Sequence, residues 1–191
     1  MKKLIMSFLV TFLTFFTYQA NAAETYTIDP DHTYVLWHIS HFGFSQPSGK
    51  WMVTEGKLTL DKEKPQNSKV NVLIHVTDMI TGISELDKHL KGQLFFDVAK
   101  FPVATFVSDK VILKGKDRAE VHGILTVHGI SKPINLDVKL NKIGVSPITN
   151  KEAVGFTATT NLKRSDFGIT TLLPGLGDQV SINIEAEAYK S

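Results

Sequence analysis

The sequence predicts an all-β fold of about eight antiparallel strands with one short helix between them. Three observations carry this. The last strand alternates without a break, with Val180, Ile182, Ile184, Ala186 and Ala188 on one side and Ser181, Asn183, Glu185, Glu187 and Tyr189 on the other. Successive side chains of a strand point to opposite faces, so this stretch has one apolar and one wet face. The same period recurs between short polar breaks, and one segment departs from it. A sheet with a single dry face closes into a barrel or packs on a second sheet, and alternation alone leaves both open.

The chain opens on a leader. Lys2 and Lys3 precede a mostly apolar stretch of 15 residues, Leu4 to Tyr18, and Ala20-Asn21-Ala22 is a small-x-small cleavage site. A spanning helix needs about 20 apolar residues, and this run stops at Gln19. Residues 1–22 therefore read as a signal peptide cleaved after Ala22, and 23–191 as one exported domain, best suited to the periplasm. Without Lys2 and Lys3 the mature chain carries 19 basic and 19 acidic residues. That balance gives no reason to expect nucleic acid or an anionic membrane surface as partner. No second run is long enough to span a membrane. The sequence leaves a homodimer open.

The strands follow in order. Val35, Trp37 and Ile39 alternate, and His41 continues their face. Leu58 and Leu60 come next, then the stripe Val70, Val72, Ile74 and Val76. Ser84-Glu85-Leu86-Asp87 starts a short helix with Ser84 as N-cap; Leu86 and Leu90 share a face, and Gly92 ends it. This helix suits one end of a barrel. From Ala104/Phe106 to Val111/Leu113 the apolar phase shifts, which predicts a bulge near Ser108 to Lys110. Val121, Leu125 and Val127 share a face with Gly123; Ile134, Leu136, Val138 and Leu140 form the next stripe, then Phe156, Ala158, Thr160 and Leu162. Turns are expected at Lys64–Asn67, Lys114–Asp117, His128–Ser131 and Ser146-Pro147.

There are no cysteines, which removes disulfides, thiolate catalysis and Cys-ligated metals. The seven histidines are the obvious suspects for chemistry. His38 and His41 are three apart on a strand and face opposite sides, while His122 and His128 are too far apart along theirs to chelate together. We expect surface or hydrogen-bonded histidines, with no catalytic metal and no cofactor. No nucleophile elbow, zinc helix, phosphate loop or dinucleotide fingerprint occurs. Asp87 and His89 supply an acid and a base, but a helix cap and an exposed helix face account for them. Ten tryptophans and phenylalanines are spread over the mature chain, including Trp37, Trp51, Phe95 and Phe96. Most belong to a core, and some could meet an apolar ligand at a barrel mouth.

Motifs along the whole mature chain carry a resemblance. They are Ile28-Asp29-Pro30-Asp31-His32-Thr33 with Val35, Trp37 and His41-Phe42-Gly43; Asp87-Lys88-His89-Leu90; Phe95-Phe96-Asp97; Lys100-Phe101-Pro102 with Thr105-Phe106; Gly123 to Gly129 with Lys132-Pro133; and Arg164 to Ile169. In this order and spacing the chain resembles the YceI-like family of exported lipocalin-like proteins, some of which bind polyisoprenoids. It departs at Thr33, where Ser is more usual, and at Trp37, where Phe is common. The Leu172-Leu173-Pro174-Gly175 loop looks specific to this member.

The resemblance implies an eight-stranded antiparallel barrel with a long apolar tunnel. It implies a long-chain lipid as partner: a polyisoprenoid, an isoprenoid quinone or a fatty-acid derivative. It implies no catalytic residue. Strand parity places Val35, Trp37, Ile39, Leu58, Leu60, Val72, Ile74, Leu136, Val138, Phe156, Ala158, Ile182 and Ile184 inside, and Phe106 joins the lining candidates. A polar cluster at one mouth, His32, His41 and Arg164 with Asp29 and Asp166 orienting them, is expected to hold a head group. Two other functions compete: an enzyme acting on a lumen-bound lipid, and an envelope stress protein acting through an exposed aromatic patch at Phe42, Phe44 and Trp51.

Overall fold

The computed structural model describes residues 23–191, apart from the side chains of residues 53 and 54. The expected signal peptide lies outside the described residues. The strands are β1 (Glu24–Ile28), β2 (Tyr34–His41), β3 (Ser48–Leu60), β4 (Lys69–His75), β5 (Val103–Leu113), β6 (Arg118–Val127), β7 (Ile130–Val145), β8 (Glu152–Lys163) and β9 (Leu176–Lys190), with one α-helix, α1 (Ser84–Lys91). Every pairing is antiparallel. The order β3-β2-β9-β8-β7-β6-β5-β4 closes through β3 against β4, an eight-stave barrel rather than a sandwich.

The ninth strand is not a ninth stave. β1 continues the line of β2, pairing with the far ends of β3 and β9. Ile28 faces Ala188 and Tyr34 faces Glu185, so the chain takes six steps where β9 takes three. The surplus, Asp29 to Thr33, loops out of the wall. Asp29 Oδ1 accepts from the Asp31 N–H at 3.0 Å, a local turn. The buried Thr33 hydroxyl repairs the broken ladder: it accepts from Glu187 N at 3.1 Å and lies 3.2 Å from Glu187 O.

The bulge in β5 falls between Ser108 and Lys110, as the phase shift predicts. Ser108 turns inward there, and its hydroxyl accepts from Val70 N at 2.8 Å. Beside it, Gly123 lies beneath the Phe106 ring, where a Cβ would stand 2.6 Å from Phe106 Cζ. Two expectations need correction. Ser84 is the first helical residue rather than the N-cap, which is Ile83; Asp87 instead accepts from Thr81 N at 2.8 Å, bracing the segment before the helix. β4 ends at His75, and Val76 opens a 3-10 turn, its N–H donating to Pro102 O at 2.8 Å while its side chain stays buried.

Topology gives the barrel two ends. One carries the β3–β4, β5–β6 and β7–β8 connections and both ends of the domain. The other carries the β2–β3 loop, the segment with α1, the β6–β7 turn and the corner from Arg164 to Gly175.

Candidate functional site: a barrel chamber and a cap chamber

Inward parity on all eight staves leaves a cavity of about 280 Å³ in the barrel. Val35, Leu58, Phe106, Phe156, Ala158, Ile182 and Ile184 line it, as do Val72, Ile74, Leu136 and Val138. Leu60 is buried in the core without lining it. A second cavity of about 380 Å³ lies under α1. Trp37, Ile39 and His41 line this cap chamber rather than the barrel chamber, with Leu86, His89 and Leu90 from the helix and Phe95 beyond it. Trp51, Phe96, Arg164, Ile169 and Val180 face both, so the chambers share a wall. In that wall the Trp51 and Phe96 rings meet edge to face, 5.4 Å between centroids.

Among the described residues, no aspartate or glutamate lines either chamber. The linings can therefore enclose an apolar chain, but they hold no carboxylate for general acid–base work or for binding a cation.

Arg164 is buried, and its guanidinium spans the corner. Nε donates to Gly177 O at 2.8 Å, Nη1 to Ile169 O at 2.9 Å and Nη2 to Leu176 O at 2.9 Å. Burial pushes its pKa below the ordinary arginine value, opposed by the nearby Asp178 charge. Asp178 holds the same corner, accepting from Ser165 N at 2.9 Å and Ser165 Oγ at 2.8 Å.

The expected polar cluster is not brought together. Arg164 and His41 both line the cap chamber, but His32 lies in the wall break opposite Glu187, toward the far end of β9. Its side chain is 61% exposed and its Nδ1 lies 2.6 Å from Asp29 Oδ2, which raises its pKa. Asp29, His32 and Glu187 each place one potential metal-ligand atom within 4.8 Å of the others, on the outer wall. Asp29 is already occupied by His32 and the Asp31 N–H. Asp166 lines neither chamber.

The proposed aromatic patch also divides. Phe44 is 90% exposed and Phe42 about half exposed, but Trp51 turns inward and lines both chambers. The helix residues Leu86, His89 and Leu90 are absent from the expected lining, and Trp51 and Phe96 enter the expectation only among the aromatics of which some could meet a ligand. The shared helical face of Leu86 and Leu90 was the available signal; where that face docks depends on tertiary structure. Among the described residues, no helix is long and apolar enough to cross a membrane.

Known proteins resemble this chain in sequence and in fold. Proteins named YceI from Salmonella arizonae and Salmonella enteritidis are each 40% identical to this chain over 192 residues, covering 100% of it and 99% of the relative. BcnA of Burkholderia cenocepacia has a similar fold, with a TM-score of 0.76 at 21% identity over 84% of this chain and 98% of its own. A polyisoprenoid-binding domain from Saccharophagus degradans superposes with a TM-score of 0.68 at 14% identity, over 90% of this chain and 100% of its own. The profile of the YceI-like domain matches residues 26–188, and the chain belongs to the YceI-like family.

Proposed function

We propose that the protein binds one long-chain apolar lipid of the isoprenoid class in its barrel and serves as a carrier or reservoir for it. The aliphatic and aromatic lining contributed by every stave carries this reading. Each buried CH₂ contributes about 0.8 kcal/mol, so a long tail binds tightly with few polar contacts. The polyisoprenoid-binding fold neighbour supports the same ligand class. The lack of a lining carboxylate favours binding over catalysis. We place the domain, residues 23–191, in the periplasm after cleavage following Ala22, on the strength of the leader.

Native mass spectrometry of gently purified protein tests this. A retained mass in the lipid range is expected, and Ala158→Phe, which fills the barrel chamber, is expected to remove it while the protein stays folded. Undiminished retention by folded Ala158→Phe protein would sink the lumen reading.

A further inference from the structure

The loops at the cap end are free of charged side chains. Residues 42–47 between β2 and β3, 79–83 and 92–96 on either side of α1, and 168–175 before β9 hold no Asp, Glu, Lys or Arg. At the opposite end the β3–β4 connection opens with Asp61-Lys62-Glu63-Lys64, and the β5–β6 turn is Lys114-Gly115-Lys116-Asp117. The cap-end loops instead put large apolar side chains into solvent. Phe42, Phe44, Ile80, Ile83, Leu94 and Leu172 are each between 46% and 90% exposed.

Contacts join this group. The Phe42 N–H donates to Gly175 O at 3.1 Å, and the Phe42 ring lies on Gly175, where a Cβ would stand 2.5 Å from Phe42 Cε1. Phe44 N donates to His41 O at 2.9 Å, so both phenylalanines sit on one tight turn. Thr171 Oγ1 donates to Leu94 O, which ties the same corner to the segment after α1. Leu172 is exposed and also lines the cap chamber, so the patch is continuous with the chamber lining. Phe42 and Leu172 hold φ of 53° and 61°, a left-handed backbone that bulky residues seldom adopt.

Single exposed apolar residues are ordinary, but a connected group bordering a cavity marks an interaction surface. Charge separates the kinds of partner. Protein interfaces surround their apolar centre with a polar rim, whereas a charged side chain entering a bilayer is costly. The charge-free loops fit the second. They also hold no lysine or arginine to attract anionic lipid, and the mature chain balances 19 basic against 19 acidic residues.

We propose that the cap end docks on a zwitterionic lipid bilayer, its apolar loops entering the interfacial layer so that the cap chamber faces the membrane. The passage of lipid there rests on the lumen reading above; the docking adds which end of the barrel meets the lipid's source.

The test is flotation of the mature protein with phosphatidylcholine vesicles. The wild type is expected to float with them equally at low and high salt, because insertion of apolar side chains is not screened. Phe44→Ser is expected to weaken vesicle binding about ten-fold. Ile148→Ser, on the β7–β8 hairpin at the opposite end and 89% exposed in the wild type, is expected to leave it unchanged. A wild type that stays behind, binding that high salt abolishes, or equal losses in the two variants would overturn the proposal. So would self-association through Phe44 in a wild type that does not float, which assigns the patch to a second copy of the chain. Native mass spectrometry keeps the two readings apart. Phe44 lines neither chamber, so Phe44→Ser is expected to retain lipid as the wild type does. A wild type that floats but retains no lipid would sink the lumen reading and leave the docking intact.

Discussion

The two ends of the barrel satisfy their polar groups in opposite ways. At the end bearing the β7–β8 hairpin, Tyr26 is wholly buried, with its hydroxyl 2.9 Å from Glu24 Oε2 and close against Glu152 Oε1. Lys62 Nζ reaches Glu24 at 2.6 Å and Glu152 at 2.5 Å, and Lys190 Nζ reaches Glu24 at 2.6 Å. Each charge has an opposite partner, and the group ties β1, β8, β9 and the turn after β3 together. At the cap end the lining is mostly apolar, and the two buried indole N–H groups have no hydrogen-bond partner among the described residues. One end is organised for closure. The other encloses a mostly apolar cavity.

The largest effect is expected at the Arg164 corner, which frames the cap. Arg164→Ala leaves three carbonyls short of their donors, and hydrogen bonds from charged groups contribute roughly 1.5–3 kcal/mol each. A loss of about 3 kcal/mol or more is expected, lowering Tm by roughly 10 °C. Lysine cannot reproduce the planar fork, so Arg164→Lys is expected to recover little of it. Calorimetry showing Tm unchanged in Arg164→Ala would mean that the corner does not depend on the guanidinium.

Gly49→Ala probes the cap from inside. The added Cβ collides with the Trp37 ring, and overpacking of this kind costs about 1–3 kcal/mol. Since tryptophan occurs only at 37 and 51, intrinsic fluorescence reports on the cap chamber directly. A shifted emission maximum with a modest fall in stability is expected; an unchanged spectrum would show that Trp37 is not seated on Gly49.

The smallest effect belongs to the opposite end and depends on pH. Bonds from Lys190, then Lys62 and Tyr26, lower the Glu24 pKa from 4.5 to about 2. A carboxylate depressed on folding stabilises the protein above its unfolded pKa and loses that contribution as pH falls through the folded one. Stability is therefore expected to decline as pH falls from 4.5 toward about 2, and Glu24→Gln is expected to flatten the profile in that window. Denaturant melts of both proteins across this range check it; parallel profiles would remove Glu24 from the account.

Much of the barrel was legible because strand parity is local. A two-residue period needs no partner to be read, and the residues it assigned to the interior, from Val35 on β2 to Ile184 on β9, are buried or line a chamber. The bulge between Ser108 and Lys110 is also written in local phase. The site was less legible. His32, His41 and Arg164 sit in comparable motifs, but pairing register carries His32 to the wall break and brings the other two to the cap.

By itself, then, the sequence determined which face of each strand is dry, where the helix lies and that the dry faces must be enclosed. Only the tertiary structure decided that β1 and β2 share one stave, that Trp51 turns inward, that Asp87 braces Thr81 rather than capping its own helix, and that the interior has two chambers. The reason is range. Side-chain direction along a strand follows from neighbours one and two residues away. The meeting of Trp37 with Gly49, or of Arg164 with Gly177, follows from how far each strand slides against the next, which is set by loops, bulges and packing across the whole barrel.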